Sequence, residues 1–188
     1  MKTYHVILAD PPWPYNARKI SSAKFGQGVH GHYPVLSWED LRKFPAQNFA
    51  SPDGCLLFLW ATGPHLPKQV SIAESWGFRY STIAFGWIKT NPNKGDIFKG
   101  PGFYTASNLE VVLLFSYGGQ TYAPLQKLVP QIIHSPRLRH SAKPPEVQDR
   151  IEKMYPLGQF SHIELFARTR RPGWDAMGYE ITGELWHP

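Results

Sequence analysis

The sequence predicts an α/β fold, a mostly parallel sheet with helices on both faces, forming a single domain over residues 1–188. Three observations lead there. Near-continuous apolar runs recur at residues 5–9, 56–60, 80–88, 110–117 and 162–167, as expected of strands buried on both faces. Segments with helical spacing of apolar residues separate several of them. Charged residues make up only 18% against 42% apolar, which excludes a disordered chain, a coiled coil and a collagen-like fibre.

Taken in order, residues 5–9 (H-V-I-L-A) form a short buried strand that two prolines stop abruptly. Residues 14–36 mix Gly, Pro, Ser and basic residues with no period, and read as a long loop. Ser37-Trp38-Glu39-Asp40 opens a short helix, with Ser37 as N-cap and the acidic pair at the positive end of the helix dipole. A second strand at 56–60 is followed by a helix over 64–76, with Leu66, Val70 and Ala73 on one face and Gly77 as its stop. Residues 80–88 are strand-like, and 89–108, rich in Gly, Pro, Asn and Lys, form a second long loop. Glu110 heads a strong strand closed by Gly118-Gly119. The last helix covers 144–155, with its prolines in the first turn and Val147, Ile151 and Met154 on one face. Sheets of this kind bind ligands beyond the C-terminal ends of their strands. The loops 14–36 and 89–108 are therefore expected to frame one site as lids.

Lys and Arg total 20 against 14 acidic residues, a net charge of +6 that favours an anionic partner such as nucleic acid. Aromatic residues reach 14%, enough for base-stacking surfaces as well as a core. The one cysteine, Cys55, excludes an internal disulfide and points to a reducing compartment. The longest purely apolar run, residues 55–61, is far short of a membrane span, and the N-terminus does not read as a secretion signal. A cytoplasmic protein with no membrane partner is the expectation.

Asp10-Pro11-Pro12-Trp13 stands where the first strand ends. One reading is a rigid strand exit, since Asp suits turns and prolines fix the backbone. The other is chemical. A carboxylate at the end of a buried strand is costly without partners. The two prolines remove backbone donors, so the segment offers only acceptors. A planar, amino-substituted base needs acceptors and an aromatic face. If the Asp10 carboxylate takes one amine hydrogen and the Pro11 carbonyl the other, the nitrogen can pyramidalise and aim its lone pair at an electrophilic methyl group. Trp13 would hold the ring by stacking, worth about 1–3 kcal/mol.

Further along are H-Y-P-V-L-S-W-E-D-L at 32–41, L-F-L-W-A-T-G-P-H-L-P at 57–67, W-G-F at 76–78 and W-I-K-T-N at 87–91. N-L-E-V-V-L-L-F at 108–115, R-H-S-A-K-P-P-E-V at 139–147 and E-L-F-A-R-T-R-R-P-G-W-D-A-M-G-Y-E at 164–180 follow. With H-V-I-L-A-D-P-P-W, these motifs resemble, in the same order and over residues 5–181, the MT-A70 family of S-adenosylmethionine-dependent adenine-N6 methyltransferases. The resemblance implies a Rossmann-like methyltransferase fold, S-adenosylmethionine as cofactor and nucleic acid as substrate. DNA is expected over RNA, because no appended RNA-binding segment is present. The alternatives are an RNA adenine-N6 methyltransferase and a non-catalytic nucleic-acid-binding partner of an active enzyme.

By the same resemblance, Asp10, Pro11, Pro12 and Trp13 are the catalytic motif, and Asp10 lies near the cofactor's methionine portion. Lys143 helps bind the cofactor through its carboxylate, Phe166 and Arg168 belong to the cofactor-binding strand, and Glu180 serves the ribose hydroxyls. Tyr179 stands where many members have Asn, which puts one ribose contact in doubt. Only nine residues precede Asp10, so the cofactor's adenine pocket is expected to be completed by other segments, such as 163–181, with weaker cofactor binding than in longer relatives. Trp13, Tyr33, Glu110, Arg139 and Lys89 are the expected substrate contacts, with Glu110 either supporting the base pocket or capping its strand. Arg18, Lys19 and Lys24 in the first lid, Lys89, Lys94 and Lys99 in the second, and Arg137 with Arg139 and His140 form either a phosphate-binding rim or scattered solubilising charge. His30-Gly31-His32 has no Cys or carboxylate cluster near it in sequence, so no metal is expected. A homodimer and a partner subunit both stay open.

Overall fold

The computed structural model describes residues 2–14, 36–102, 104–120, 122–137 and 142–183. Seven strands form one sheet: β1 Val6–Ala9, β2 Cys55–Ala61, β3 Arg79–Thr90, β4 Leu109–Tyr117, β5 Ile132–Pro136, β6 His162–Leu165 and β7 Asp175–Met177. Four α-helices are described, α1 Trp38–Lys43, α2 Leu66–Ser75, α3 Glu146–Met154 and α4 Tyr179–Thr182. The sheet order is β5-β3-β4-β2-β1-β6-β7. Every neighbouring pair is parallel except β2–β4 and β3–β4, so β4 alone runs against the rest. This is the mostly parallel α/β fold that the sequence predicts.

Period-two alternation divides the core into two layers. Ile7, Leu57, Leu59, Leu113 and Ile163 face one side and pack with Leu41 of α1 and Ile72, Ala73 and Trp76 of α2 or its end. Val6, Leu8, Phe58, Trp60, Phe85, Trp87 and Val112 face the other and pack with Val147 and Ile151 of α3. The expected N-cap of α1 is present as a capping box. Ser37 Oγ accepts from the Asp40 N–H at 3.0 Å, and the Ser37 N–H donates back to Asp40 Oδ2. Among the described residues no helix is long and apolar enough to cross a membrane.

Three departures from the sequence reading bear on the site. β5 and β7 are edge strands that the apolar pattern does not announce; Ile132, His134 and Pro136 of β5 are exposed and only Ile133 and Ser135 are buried. β3 runs on to Thr90, so Lys89 belongs to a strand and not to a lid. The segment after it is folded back, with antiparallel bridges Thr90–Ile97 and Gly100–Ser107. All but the first and last residues of the 14–36 loop lie outside the described residues, so the first lid does too.

Candidate active site

The chemistry-bearing residues gather where the parallel strands end. Asp10 follows β1 directly and alternates onto the α3 side, two residues beyond Leu8. Lys89 lies two residues beyond Trp87, and Glu110 is paired with Trp87 across the sheet. Because β4 is antiparallel, its first residues sit at the edge where the other strands finish, and this is why Glu110 reaches the same end as Asp10. Lys143 comes from the segment that leads into α3.

These four residues form a line of alternating charge. Lys143 Nζ lies 3.1 Å from Asp10 Oδ1 and 3.2 Å from Glu110 Oε2. Lys89 Nζ donates to Glu110 Oε1 at 2.5 Å. All four side chains are largely buried, with exposures between 14% and 21%. Both ammonium groups also lie over indole rings, Lys143 above Trp60 at 5.3 Å and Lys89 above Trp87 at 5.0 Å.

The charges are unevenly satisfied. Burial alone would raise Glu110, but Lys143 and Lys89 outweigh it and hold that carboxyl below its ordinary value. Burial alone would lower Lys143, yet Asp10 and then Glu110 overcome it and raise the ammonium above its ordinary value. Asp10 has a share of Lys143 and a weaker pull from Arg168. Burial raises its carboxyl, Lys143 opposes this in part, and the neighbouring Glu110 adds to the rise. Asp10 is thus the carboxylate of the line that is left short of counter-charge.

The Pro11 carbonyl accepts the Trp13 N–H at 2.7 Å and keeps one lone pair beyond that bond. The Trp13 ring is core: it is 6% exposed, its indole N–H donates to the Trp60 carbonyl at 3.1 Å, and it stacks on Trp38 at 5.7 Å. A ring packed this way fixes the path of the Asp-Pro-Pro segment and leaves little face for a base. Lys89, expected on a phosphate rim, is committed to Glu110.

Beside Asp10, a cleft is lined by Lys143, Glu164, Phe166 and Arg168, and by Gln148 of α3. Phe166 adopts a left-handed backbone, φ 60°, immediately after β6. That is a strained conformation for a residue other than Gly, costing about 1–2 kcal/mol. Its ring is anchored against Phe44 at 4.6 Å. The turn before α4 comes so close that a Cβ on Gly178 would lie 2.2 Å from the Ala167 carbonyl oxygen, so only Gly fits there. Arg168 lies 3.9 Å from Glu180, which joins these two expected cofactor residues at the same strand end. Arg171 clamps the intervening loop to α3 through Asp149 at 2.6 Å and Glu152 at 2.7 Å. Glu164 was not singled out in the sequence, although a carboxylate inside the apolar run H-I-E-L-F-A is a signal that could have found it. Tyr33 and Arg139 lie outside the described residues, as do Arg18, Lys19, Lys24, His30, His32 and His140.

The cleft fits S-adenosylmethionine by its donor set, with cations and carboxylates side by side for a zwitterionic amino-acid end. Comparison with known proteins agrees. The family model MT-A70 matches residues 4–180. The chain is 37% identical over 199 residues to a Mycoplasma type II methyltransferase, M.MunI, covering 96% of this chain and 78% of that protein. It is 28% identical to the human N(6)-adenine-specific methyltransferase METTL4 and 26% identical to the human N(6)-adenosine-methyltransferase catalytic subunit METTL3. Each of these alignments covers 96% of this chain but only 38% and 28%, respectively, of the longer relative. The order of motifs, the acceptor-only strand exit and the family match over nearly the whole length converge, and the chain belongs to the MT-A70 family.

Proposed function

We propose that the protein transfers the methyl group of S-adenosylmethionine to the N6 amine of adenine in nucleic acid, with DNA as its substrate. The observation that carries this reading is the buried Asp10, short of counter-charge, beside a Pro11 carbonyl with a free lone pair and no competing backbone donor at Pro12. Adenine's exocyclic amine is a poor nucleophile because its lone pair is delocalised into the ring. Asp10 takes one amine hydrogen and the Pro11 carbonyl the other, so the nitrogen pyramidalises and its lone pair acquires one direction. S-adenosylmethionine, when bound, supplies an electrophilic methyl group on a sulfonium.

Positioning and electrostatics do most of the work, and no strong base is needed before attack. Afterwards the additional proton on the amine passes to an Asp10 carboxylate oxygen, whose raised pKa suits it to receive one. Lys143 is the cation for the cofactor's carboxylate, and Glu110 with Lys89 keeps it charged and in place. Phe166 packs beside the cofactor, while Arg168 and Glu180 serve its ribose. β7 and α4, within residues 163–181, complete the nucleoside pocket. Trp13 acts as a buttress of the catalytic segment.

For the nucleic acid, exposed Lys94 and Lys99 on the segment after β3 and Arg137 after β5, stacked on Phe98 at 4.4 Å, supply phosphate contacts. A duplex target has to present its adenine flipped out of the stack to reach Asp10. The buried thiol of Cys55 suits a reducing compartment, and the cytoplasm is the location this reading implies.

The test is incubation with isotope-labelled cofactor and separate DNA and RNA pools, followed by nucleoside analysis. Label in N6-methyladenine from DNA is expected. Label from RNA alone would reverse the substrate, and no label in either would make the protein a non-catalytic partner.

A further inference from the structure

We propose that Glu164 is the ligand for the α-ammonium group of the cofactor's amino-acid end, in the cleft that Lys143 also lines. The proposal rests on the cofactor reading above. Glu164 is paired with Leu8 in the sheet, so it stands on the α3 side of β6, one strand over and two residues back from Asp10. Gln148 of α3 donates to Glu164 Oε2 at 2.9 Å. The same cleft wall carries Asp10, Lys143 and Arg168.

Among the described residues, no lysine or arginine forms an ion pair with Glu164. A half-buried carboxylate held by one neutral amide is under-compensated. Burial first, and then the charge of Asp10, raise its pKa to about 7, while Gln148 and the more distant Arg171 oppose the rise. A cation is what this environment lacks, and a ribose hydroxyl would not supply one. The arriving ligand carries a carboxylate and an ammonium on one carbon. Lys143 stands ready for the first, and Glu164 is the acid without a cation for the second.

The test is a binding cycle. S-adenosylhomocysteine and its desamino counterpart, which keeps the carboxylate and lacks the ammonium, are titrated calorimetrically into wild type and Glu164→Gln. For wild type, losing the ammonium costs about tenfold or more in affinity, as for one charge-assisted hydrogen bond. For Glu164→Gln the two ligands bind alike, and the desamino ligand binds both proteins equally, which also reports that the variant is folded. Wild-type affinity for S-adenosylhomocysteine rises from about pH 5.5 to about pH 7.5 as Glu164 ionises, and the variant loses that rise. If the two losses are independent and add, or the pH dependence survives the substitution, the proposal is overturned. If wild type binds neither ligand at any pH, the cofactor reading itself falls and takes this one with it.

Discussion

Lys143 Nζ lies 3.1 Å from Asp10 Oδ1 and almost equally close to Glu110, so one ammonium serves two buried carboxylates. Glu110 has Lys89 as a second cation, whereas Asp10 shares the first. The catalytic carboxylate is therefore the one with unmet demand for a donor. That imbalance organises the predictions below.

Lys143→Met strips both carboxylates of their shared cation. Removing one partner of a buried pair costs about 3–5 kcal/mol, and urea denaturation should read a loss of that order. Adding Asp10→Asn should recover part of it, because Asp10 is the carboxylate left without an ion-pair partner while Glu110 keeps Lys89. No recovery would mean that the line of charge is not coupled.

Two carboxyls give opposite pH signatures. Glu110 is held below its ordinary 4.5, so its contribution to stability is present above that value and is lost on acidification below it. Glu164 is raised from 4.5 to about 7, so in the ligand-free protein its contribution is present below 4.5 and is lost as pH rises toward 7. Thermal melts across pH should show Glu164→Gln removing the decline between these two values. Glu110→Gln should soften the acid limb. Unchanged curves would contradict both assignments.

Trp13→Ala should destabilise the fold by about 3–5 kcal/mol, as for a core aromatic. Trp13→Phe keeps a packed ring but loses the bond to the Trp60 carbonyl. It should retain most of kcat and leave KM for nucleic acid near wild type. A large rise in KM for Trp13→Phe, with its stability intact, would return the residue to a base-stacking role.

Lys89→Met and the triple change Lys94→Ala, Lys99→Ala, Arg137→Ala should separate chemistry from binding. The triple variant should lower the slope of log affinity against log salt by up to about 3, one for each lost phosphate contact. Lys89→Met should leave that slope unchanged and lower kcat, because it acts through Glu110 and Lys143. A reduced slope for Lys89→Met would place it on the phosphate rim after all.

Much of this was legible in the sequence, for physical reasons. Buried parallel strands announce themselves as apolar runs, and Ser37 with Asp40 announces a capped helix. The Asp-Pro-Pro-Trp segment stands out because a carboxylate and two prolines at a strand exit are locally costly. What stayed hidden depends on partners distant in sequence. β5 is an edge strand whose outer residues face away from the core, so Ile132, His134 and Pro136 carry no apolar alternation. Lys89 looked like loop charge because composition does not reveal that β3 continues to Thr90. Its pairing with Glu110, 21 positions away, depends on the antiparallel run of β4. Trp13 reads as a stacking platform in the sequence, which does not show that its ring packs on Trp38.

The most direct test of the central claim is a structure of the protein with S-adenosylhomocysteine and an adenine-containing oligonucleotide. The account predicts the adenine N6 within about 3 Å of both an Asp10 carboxylate oxygen and the Pro11 carbonyl oxygen. An adenine seated in the site with its amine directed elsewhere, and Asp10 still locked onto Lys143, would contradict it.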